Sequence, residues 1–339
     1  MQRKAVHCMK QIRIYGTLGP ACADADTLER MFRAGMTGLR LNLSHTTLEA
    51  AGPMIETCHR AARACGAAPE LLIDMQGPEL RLGVLATPLP LETGAEVFFD
   101  SLPFPEEVNG ALTDWPRGQE LLLDDGKLLL RVEGPGLLRV LRGGVLESRK
   151  SVALPGRVIH TPAVTETDRR NLARARDFGV TAVMQPFVRG PEDLMEVRDA
   201  LKQAGCPELR LLAKIENLEG VRALETILPC CDEIVIARGD LGNAVPLWDL
   251  PGVQKRIAAA CRRAGREFMV VTQMLDSMTH RPIPTRAEVS DIFNAVLDGA
   301  ASVMVTGETA SGEYPVETIR YLCKTVRAAE AFSCQASDG

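Results

Sequence analysis

Short runs of apolar residues recur along the chain, and a stretch with helical spacing follows each of them. None of the runs shows the strict alternation of polar and apolar residues that is typical of a half-exposed sheet. We therefore predict parallel strands that are buried on both faces. The eight runs are 13–18, 38–44, 70–75, 181–187, 210–216, 233–239, 267–273 and 302–308.

The stretches between the runs carry helix signals. Asp26 or Thr27 is placed to cap a first helix, and Gly35 is placed to end it. The predicted helices include 27–34, 192–204, 254–264 and 318–331. Repeated strand–helix units are typical of an α/β fold, and eight of them favour a (β/α)8 TIM barrel over a doubly wound sheet.

One connection, between the third and the fourth run, is much longer than the others. Residues 80–150 are rich in Pro, Gly, Leu and Val and contain short alternating segments. Within them, D-D-G at 124–126 separates two apolar runs and indicates a β-hairpin. We predict a small all-β lid domain at 80–150, inserted after the third strand, with 1–79 and 151–339 forming the barrel.

Composition narrows the function classes. The 339 residues are 46% apolar and 24% charged, which permits a packed core. A net charge of −5 and 4% aromatic residues do not suggest a nucleic-acid partner. The ten cysteines form no C-x-x-C pair, which indicates neither a zinc site nor a disulfide framework. Without an apolar signal segment or a membrane-length run, the sequence predicts a cytoplasmic protein with no membrane partner.

Candidate catalytic and binding residues lie at the carboxyl ends of the predicted strands, where barrels of this kind have their active sites. Glu216 and Asp240 follow consecutive runs, and neighbouring strands lie about 5 Å apart. Two carboxylates suit Mg²⁺ or Mn²⁺, although each could instead cap the helix that follows it. Lys214 points to the same side as Glu216, where its ammonium can stabilise an enolate or a transferring phosphoryl group.

Further groups near the strand ends can bind an anion. Arg40 and Arg81 supply positive charge suited to a phosphate. Asp240-Leu-Gly is predicted to open a helix whose backbone N–H groups can hold a carboxylate.

A series of short motifs then follows the chain in a fixed order. The motifs are G-T-L-G-P-A (16–21), A-G-M-T-G-L-R-L-N-L-S-H (34–45), I-D-M-Q-G-P-E-L-R-L-G (73–83), L-D-D-G (123–126), K-S-V-A-L-P-G (150–156), A-K-I-E-N-L-E-G-V (213–221), A-R-G-D-L-G (237–242), T-Q-M-L-D-S-M (272–278), P-T-R-A-E-V-S-D (284–291), N-A-V-L-D-G-A (294–300) and G-E-T-A-S-G-E-Y-P (307–315). Together they make the sequence resemble the pyruvate kinase family along nearly its whole length.

The resemblance implies transfer of the phosphoryl group of phosphoenolpyruvate to ADP, followed by protonation of the enolate to pyruvate. By position, Lys214 would stabilise the transferring phosphoryl group and the enolate, and Thr272 would lie near the protonated carbon. Arg40 would contact the phosphate and Arg81 would assist from the hinge of the lid. The backbone amides of Gly239 and Asp240 would bind the substrate carboxylate.

The resemblance also implies two cations and a nucleotide site. Glu216 and Asp240 would hold Mg²⁺ or Mn²⁺. Potassium would be held by Asn42, Ser44, Asp74 and the carbonyl of Met75. Glu79 is the acidic residue that would identify the chain as a potassium-requiring member of the family. The residues that would approach the nucleotide are Asn42, His45, Asp125 and Lys150.

Some positions depart from the family pattern. The allosteric domain that follows the barrel in the family has no counterpart before Gly339, so we expect a short form and a homodimer through the barrel. Gln76 stands where a lysine is usual, and Thr46, Ser151 and Pro186 also differ. Two alternatives therefore stay open: a metal-dependent lyase acting on a pyruvate enolate, and a non-catalytic relative that binds phosphoenolpyruvate or a partner.

Overall fold

The computed structural model describes residues 11–44, 46–106, 108, 115–124, 126–156 and 161–337. Eight parallel strands form a closed barrel, which confirms the predicted (β/α)8 fold. In chain order the barrel strands are β1 (Arg13–Thr17), β2 (Gly38–Asn42), β3 (Glu70–Asp74), β11 (Ala182–Gln185), β12 (Arg210–Ile215), β13 (Glu233–Ala237), β14 (Glu267–Val271) and β15 (Ser302–Met304). Around the barrel the hydrogen-bonded order is β1, β15, β14, β13, β12, β11, β3 and β2.

Helices pack around the outside of the barrel. They are α1 (Ala25–Ala34), α2 (Gly52–Ala64), α3 (Glu166–Arg174), α4 (Pro191–Gln203), α5 (Leu218–Arg222), α6 (Leu224–Ile227), α7 (Arg238–Ala244), α8 (Leu250–Arg263), α9 (Arg286–Leu297), α10 (Gly307–Ala310) and α11 (Pro315–Ser337). Among the described residues, no helix has both the length and the apolar character needed to cross a membrane.

Helix starts differ from the sequence prediction. Asp24, rather than Asp26 or Thr27, caps α1: its carboxylate accepts a hydrogen bond of 2.9 Å from the backbone N–H of Thr27. Gly35 ends this helix as predicted, in the left-handed conformation at φ +114°. Prolines in the first turn of α8 and at the start of α11 place both starts earlier than expected, because proline suits these positions.

Within the described residues, the inserted segment forms two antiparallel sheets, one of five strands and one of two, with an apolar core of its own. Its strands are β4 (Leu89–Leu91), β5 (Glu96–Phe98), β6 (Glu120–Leu123), β7 (Leu128–Gly134), β8 (Leu137–Arg142), β9 (Gly144–Leu146) and β10 (Val152–Ala153); β4 and β9 form the two-stranded sheet. Strands β6 and β7 pair as the predicted hairpin around Gly126. Because β10 pairs with β6, the five-stranded sheet continues beyond residue 150, where the sequence predicted the end of the insertion.

Apolar side chains pack in two places, inside the barrel and between the barrel and its helices. Buried residues inside the barrel include Tyr15, Leu72, Met184 and Met269. A larger cluster packs the outer face of the strands against the helices. Since the interior is packed, the open space that a site needs lies at the strand ends.

Candidate functional site

A buried ionic cluster lies where β2, β3 and β12 end. Asp74, the last residue of β3, accepts hydrogen bonds from the Arg40 guanidinium at 2.6 and 3.0 Å. The ammonium of Lys214 lies 3.0 Å from the same carboxylate and 3.1 Å from Glu216. Three predicted site residues, Arg40, Lys214 and Glu216, are therefore brought together around Asp74.

The charged groups of this cluster shift one another's pKa values. Burial alone lowers the pKa of Lys214, but the carboxylates of Asp74 and Glu216 outweigh it and hold that pKa above its usual value. Burial raises the pKa of Asp74, yet Lys214 and Arg40 bring it below its ordinary range. Lys214 is therefore a protonated, positively charged donor at neutral pH.

Glu216 follows the last residue of β12 and is almost completely buried. The backbone N–H of Phe187 donates to its carboxylate at 2.8 Å, which fixes the side chain from the neighbouring strand end. Burial raises the pKa of Glu216, and the charge of Lys214 opposes that rise. A cation that approaches this carboxylate would therefore stabilise the ionised form.

Asp240 lies in the first turn of α7, immediately after β13. The prediction that a helix opens at Asp240 is wrong by two residues, since the helix begins at Arg238, directly where the strand ends. Asp240 and Glu216 both line a cavity of about 540 Å³ between the barrel and the inserted sheet. The same cavity is lined by Glu79 and by Ser151 of the insertion.

The donor set fits a hard divalent cation. Glu216 and Asp240 supply two carboxylates to one cavity, and the charge of Asp240 raises the pKa of Lys214 beside them. Within the described ranges, no three His, Cys, Asp and Glu side chains group to hold a metal ion on their own. Mg²⁺ usually binds through one or two carboxylates together with waters and substrate oxygens, so a pair is sufficient.

The residues predicted to bind potassium lie around the end of β2. Asn42 and Asp74 are register partners on neighbouring strands, and the Asn42 side chain accepts from the backbone N–H of Ser44 at 3.1 Å. Met75 follows Asp74, and its N–H donates to the carbonyl of Met184. These positions are close together, and their binding of potassium stays a prediction.

Arg81 and Lys150 lie on the side of the insertion. Arg81 donates to Glu79 at 2.7 and 3.0 Å and to the carbonyl of Arg149 at 3.0 Å. The electrostatic influence of Lys214 and Glu216 reaches Glu79, although burial has the largest effect and raises its pKa. Arg81 is thus paired with a carboxylate that the charges of the cluster influence.

Lys150 pairs with carboxylates of the insertion itself, at 3.2 Å from Asp124 and 3.1 Å from Glu147. It makes no described contact with the cluster around Asp74. His45 and Asp125, the other two predicted nucleotide contacts, lie outside the described residues.

Thr272 lies just beyond β14 in an unusual backbone conformation. The φ of Thr272 is +79°, a value that a β-branched residue rarely adopts, and the φ of Gln273 is +54°. Its side chain packs against Gly239: a Cβ at that glycine would lie 3.1 Å from the Thr272 methyl group. Gly239 therefore permits close approach of the two strand ends.

Sequence analysis missed several residues that shape this region. It assigned no role to Arg238, whose guanidinium donates to the carbonyl of Thr272, or to Asp291, which pairs with Arg238. It also missed Asp168, which is fully buried and accepts from the backbone N–H groups of Gln76 and Gly77. A capping-box pattern, Thr165-x-x-Asp168, was the available signal for that carboxylate.

Comparisons with known proteins agree with the fold and the motifs. A model of the pyruvate kinase barrel domain matches residues 9–319. The chain is 39% identical over 322 residues to a pyruvate kinase of Methylorubrum extorquens, covering 91% of this chain and 66% of the relative. It is 36% identical over 325 residues to a pyruvate kinase of Geobacillus stearothermophilus, covering 92% of this chain and 55% of the relative.

A third relative, named pyruvate kinase 2 in Synechocystis, is 36% identical over 331 residues, with 93% of this chain and 56% of the relative covered. The chain thus spans between 55% and 66% of the length of these curated relatives. Because the family model covers most of the described barrel, the chain belongs to the pyruvate kinase family.

Proposed function

We propose that this chain transfers the phosphoryl group of phosphoenolpyruvate to ADP, giving ATP and, after protonation of the enolate, pyruvate. One observation carries the proposal: the Lys214 ammonium lies between Asp74 and Glu216, and Glu216 lines one cavity together with Asp240. A fixed ammonium of this kind can stabilise the negative charge that develops on an enolate oxygen.

Glu216 and Asp240 are the proposed ligands of Mg²⁺ or Mn²⁺. A bound divalent cation supplies positive charge that neutralises phosphate and enolate oxygens. Lys214 adds a fixed positive charge beside Glu216, and Arg40 is the proposed ligand of the phosphate. The backbone amides of Gly239 and Asp240 orient the substrate carboxylate.

The reaction proceeds in two steps. An oxygen of ADP attacks phosphorus as the bond from phosphorus to the enol oxygen breaks, and that oxygen keeps the electron pair. Lys214 stabilises the resulting enolate. The methylene carbon then takes a proton from the side of Thr272, which produces the methyl group of pyruvate.

The insertion acts as a lid in this proposal, with Arg81 at its hinge. Lys150, with Asn42, His45 and Asp125, approaches the nucleotide phosphates. Potassium is assigned to Asn42, Ser44, Asp74 and the Met75 carbonyl. The exposed side chains of Leu247, Trp248 and Ile283 are compatible with a homodimer through the barrel, which stays a prediction.

A coupled assay tests the proposal directly. Pyruvate should form from phosphoenolpyruvate only when ADP, Mg²⁺ and K⁺ are present, and Lys214→Met should remove that activity. No ADP-dependent pyruvate under these conditions would contradict the proposal. Nucleotide-independent pyruvate formation from oxaloacetate would instead indicate the lyase alternative.

A further inference from the structure

Thr272 is held in a backbone conformation that it would not adopt freely. Both Thr272 and Gln273 have positive φ angles, and threonine is branched at Cβ, so the conformation costs free energy. Strain of this kind persists only where surrounding groups impose it. Contacts from neighbouring residues must therefore hold Thr272 in this conformation.

Arg238 supplies the principal contact. Its Nε and Nη2 donate to the carbonyl oxygen of Thr272 at 3.1 and 2.7 Å. Nη2 also lies 3.0 Å from the sulfur of Met274. A planar guanidinium that makes two hydrogen bonds to one carbonyl fixes the orientation of that peptide, as a single ammonium could not.

Asp291, on α9, fixes Arg238 in turn. Its carboxylate accepts from Nη1 at 2.6 Å, while the Arg238 side chain is only 11% exposed. On the other side, Gly239 leaves room for the Thr272 methyl group. The backbone of Thr272 is thus held through its carbonyl oxygen, and its side chain lies in the space that Gly239 leaves.

We infer that Asp291 and Arg238 are positioning residues that hold Thr272 where its hydroxyl serves protonation of the enolate. The inference rests on the proposed function, which places Thr272 beside the protonated carbon. Neither Asp291 nor Arg238 contacts that carbon; both act through the peptide of Thr272. Asp291 is the better position to alter, because Arg238 directly precedes the proposed carboxylate-binding amides.

The first experiment compares Asp291→Asn with Asp298→Asn. Asp298 caps the end of the same helix and pairs with Lys255 at 2.7 Å, so it is a matched control. We measure kcat, KM for phosphoenolpyruvate, and exchange of the pyruvate methyl hydrogens in D₂O with Mg²⁺, K⁺ and ATP. Asp291→Asn should lower kcat and the exchange rate by about tenfold to a hundredfold.

The two variants should differ in a defined way. KM for phosphoenolpyruvate should change less than about twofold in Asp291→Asn, Asp291→Glu should recover part of the exchange rate, and Asp298→Asn should resemble the parent. Unchanged exchange in Asp291→Asn, or an equal loss in Asp298→Asn, would overturn the inference.

A double-mutant cycle tests whether Asp291 acts through Thr272. In a Thr272→Val background, Asp291→Asn should have little further effect on exchange, because the group that it positions is already absent. Losses that multiply independently would show that Asp291 acts elsewhere and would overturn the inference.

Crystal structures of the parent and Asp291→Asn provide a readout without turnover. The variant should lose the contact between Arg238 and the Thr272 carbonyl, with a change in the φ of Thr272. An unaltered peptide would overturn the inference. If the parent makes no ADP-dependent pyruvate, the proposed function fails, while this structural comparison still decides the positioning role.

Discussion

The two ends of the barrel both bury charged side chains, but they use them differently. At the amino-terminal end, Glu233 is fully buried and receives hydrogen bonds from Arg13 at 2.9 Å, from Arg210 at 2.6 Å and from Ser302. The Tyr15 hydroxyl donates to Glu70 at 2.6 Å in the same network. Arg13, Glu70, Arg210, Glu233, Glu267 and Ser302 are each the first residue of a barrel strand.

At the carboxyl end, the cluster around Asp74 reaches a cavity through Glu216. Glu216 and Asp240 line that cavity, and strained backbone at Thr272 lies at a neighbouring strand end. Buried charge alone therefore does not identify a functional site in this molecule. Carboxylates that border open space, together with backbone held in an uncommon conformation, distinguish the carboxyl end.

The largest expected effect separates the two ends by activity. Lys214→Met should lower kcat/KM for phosphoenolpyruvate by about 10³-fold, because in the proposed reaction it removes the charge that stabilises the enolate. Binding of Mn²⁺, followed by electron paramagnetic resonance, should be largely retained. Activity close to that of the parent would exclude Lys214 from the reaction.

The corresponding change at the amino-terminal end should act on stability. Glu233→Ala removes the fully buried carboxylate that pairs with both Arg13 and Arg210 and should lower the free energy of unfolding by about 3 kcal/mol. Denaturant titration measures that loss. Activity per folded molecule should match the parent; a specific loss of kcat would show that this end takes part in function.

Metal affinity should depend on the carboxyl end alone. Asp240→Asn should weaken Mn²⁺ binding by about tenfold or more, since an amide replaces a charged oxygen ligand. Glu267→Gln makes the same chemical change at the other end and should leave affinity unchanged. Equal Mn²⁺ affinity in Asp240→Asn and the parent would exclude Asp240 as a ligand.

The smallest effect concerns potassium. Glu79→Lys should reduce the difference between activity with and without K⁺, because the new ammonium can replace the ion's charge. Glu96→Lys, on a lid strand, is the matched charge reversal. An unchanged potassium requirement in Glu79→Lys would contradict the assignment.

The fold and much of the carboxyl end could be predicted from the sequence, whereas the network at the amino-terminal end could not. Apolar runs with helical stretches between them indicate a barrel, and barrel geometry alone brings Lys214, Glu216 and Asp240 to one end. Helix starts were less certain: Asp24 and Asp26 are both capping residues, and only backbone geometry selects Asp24.

Contacts between distant segments could not be predicted. The pairing of Arg238 with Asp291 joins residues 53 positions apart, and the positive φ of Thr272 has no signal in its residue type. The network around Glu233 was not predicted, because candidate residues were sought at the carboxyl ends of the strands and most of its members are the first residues of their strands. In both places the missing information is tertiary packing.

Diffraction from crystals soaked with Mn²⁺ and oxalate tests the proposed metal site most directly, with oxalate standing in for enolpyruvate. Anomalous scattering should place Mn²⁺ between the carboxylates of Glu216 and Asp240, with oxalate bound to the metal and facing the Lys214 ammonium. Mn²⁺ held by other residues, or oxalate bound away from Lys214, would contradict the proposed site.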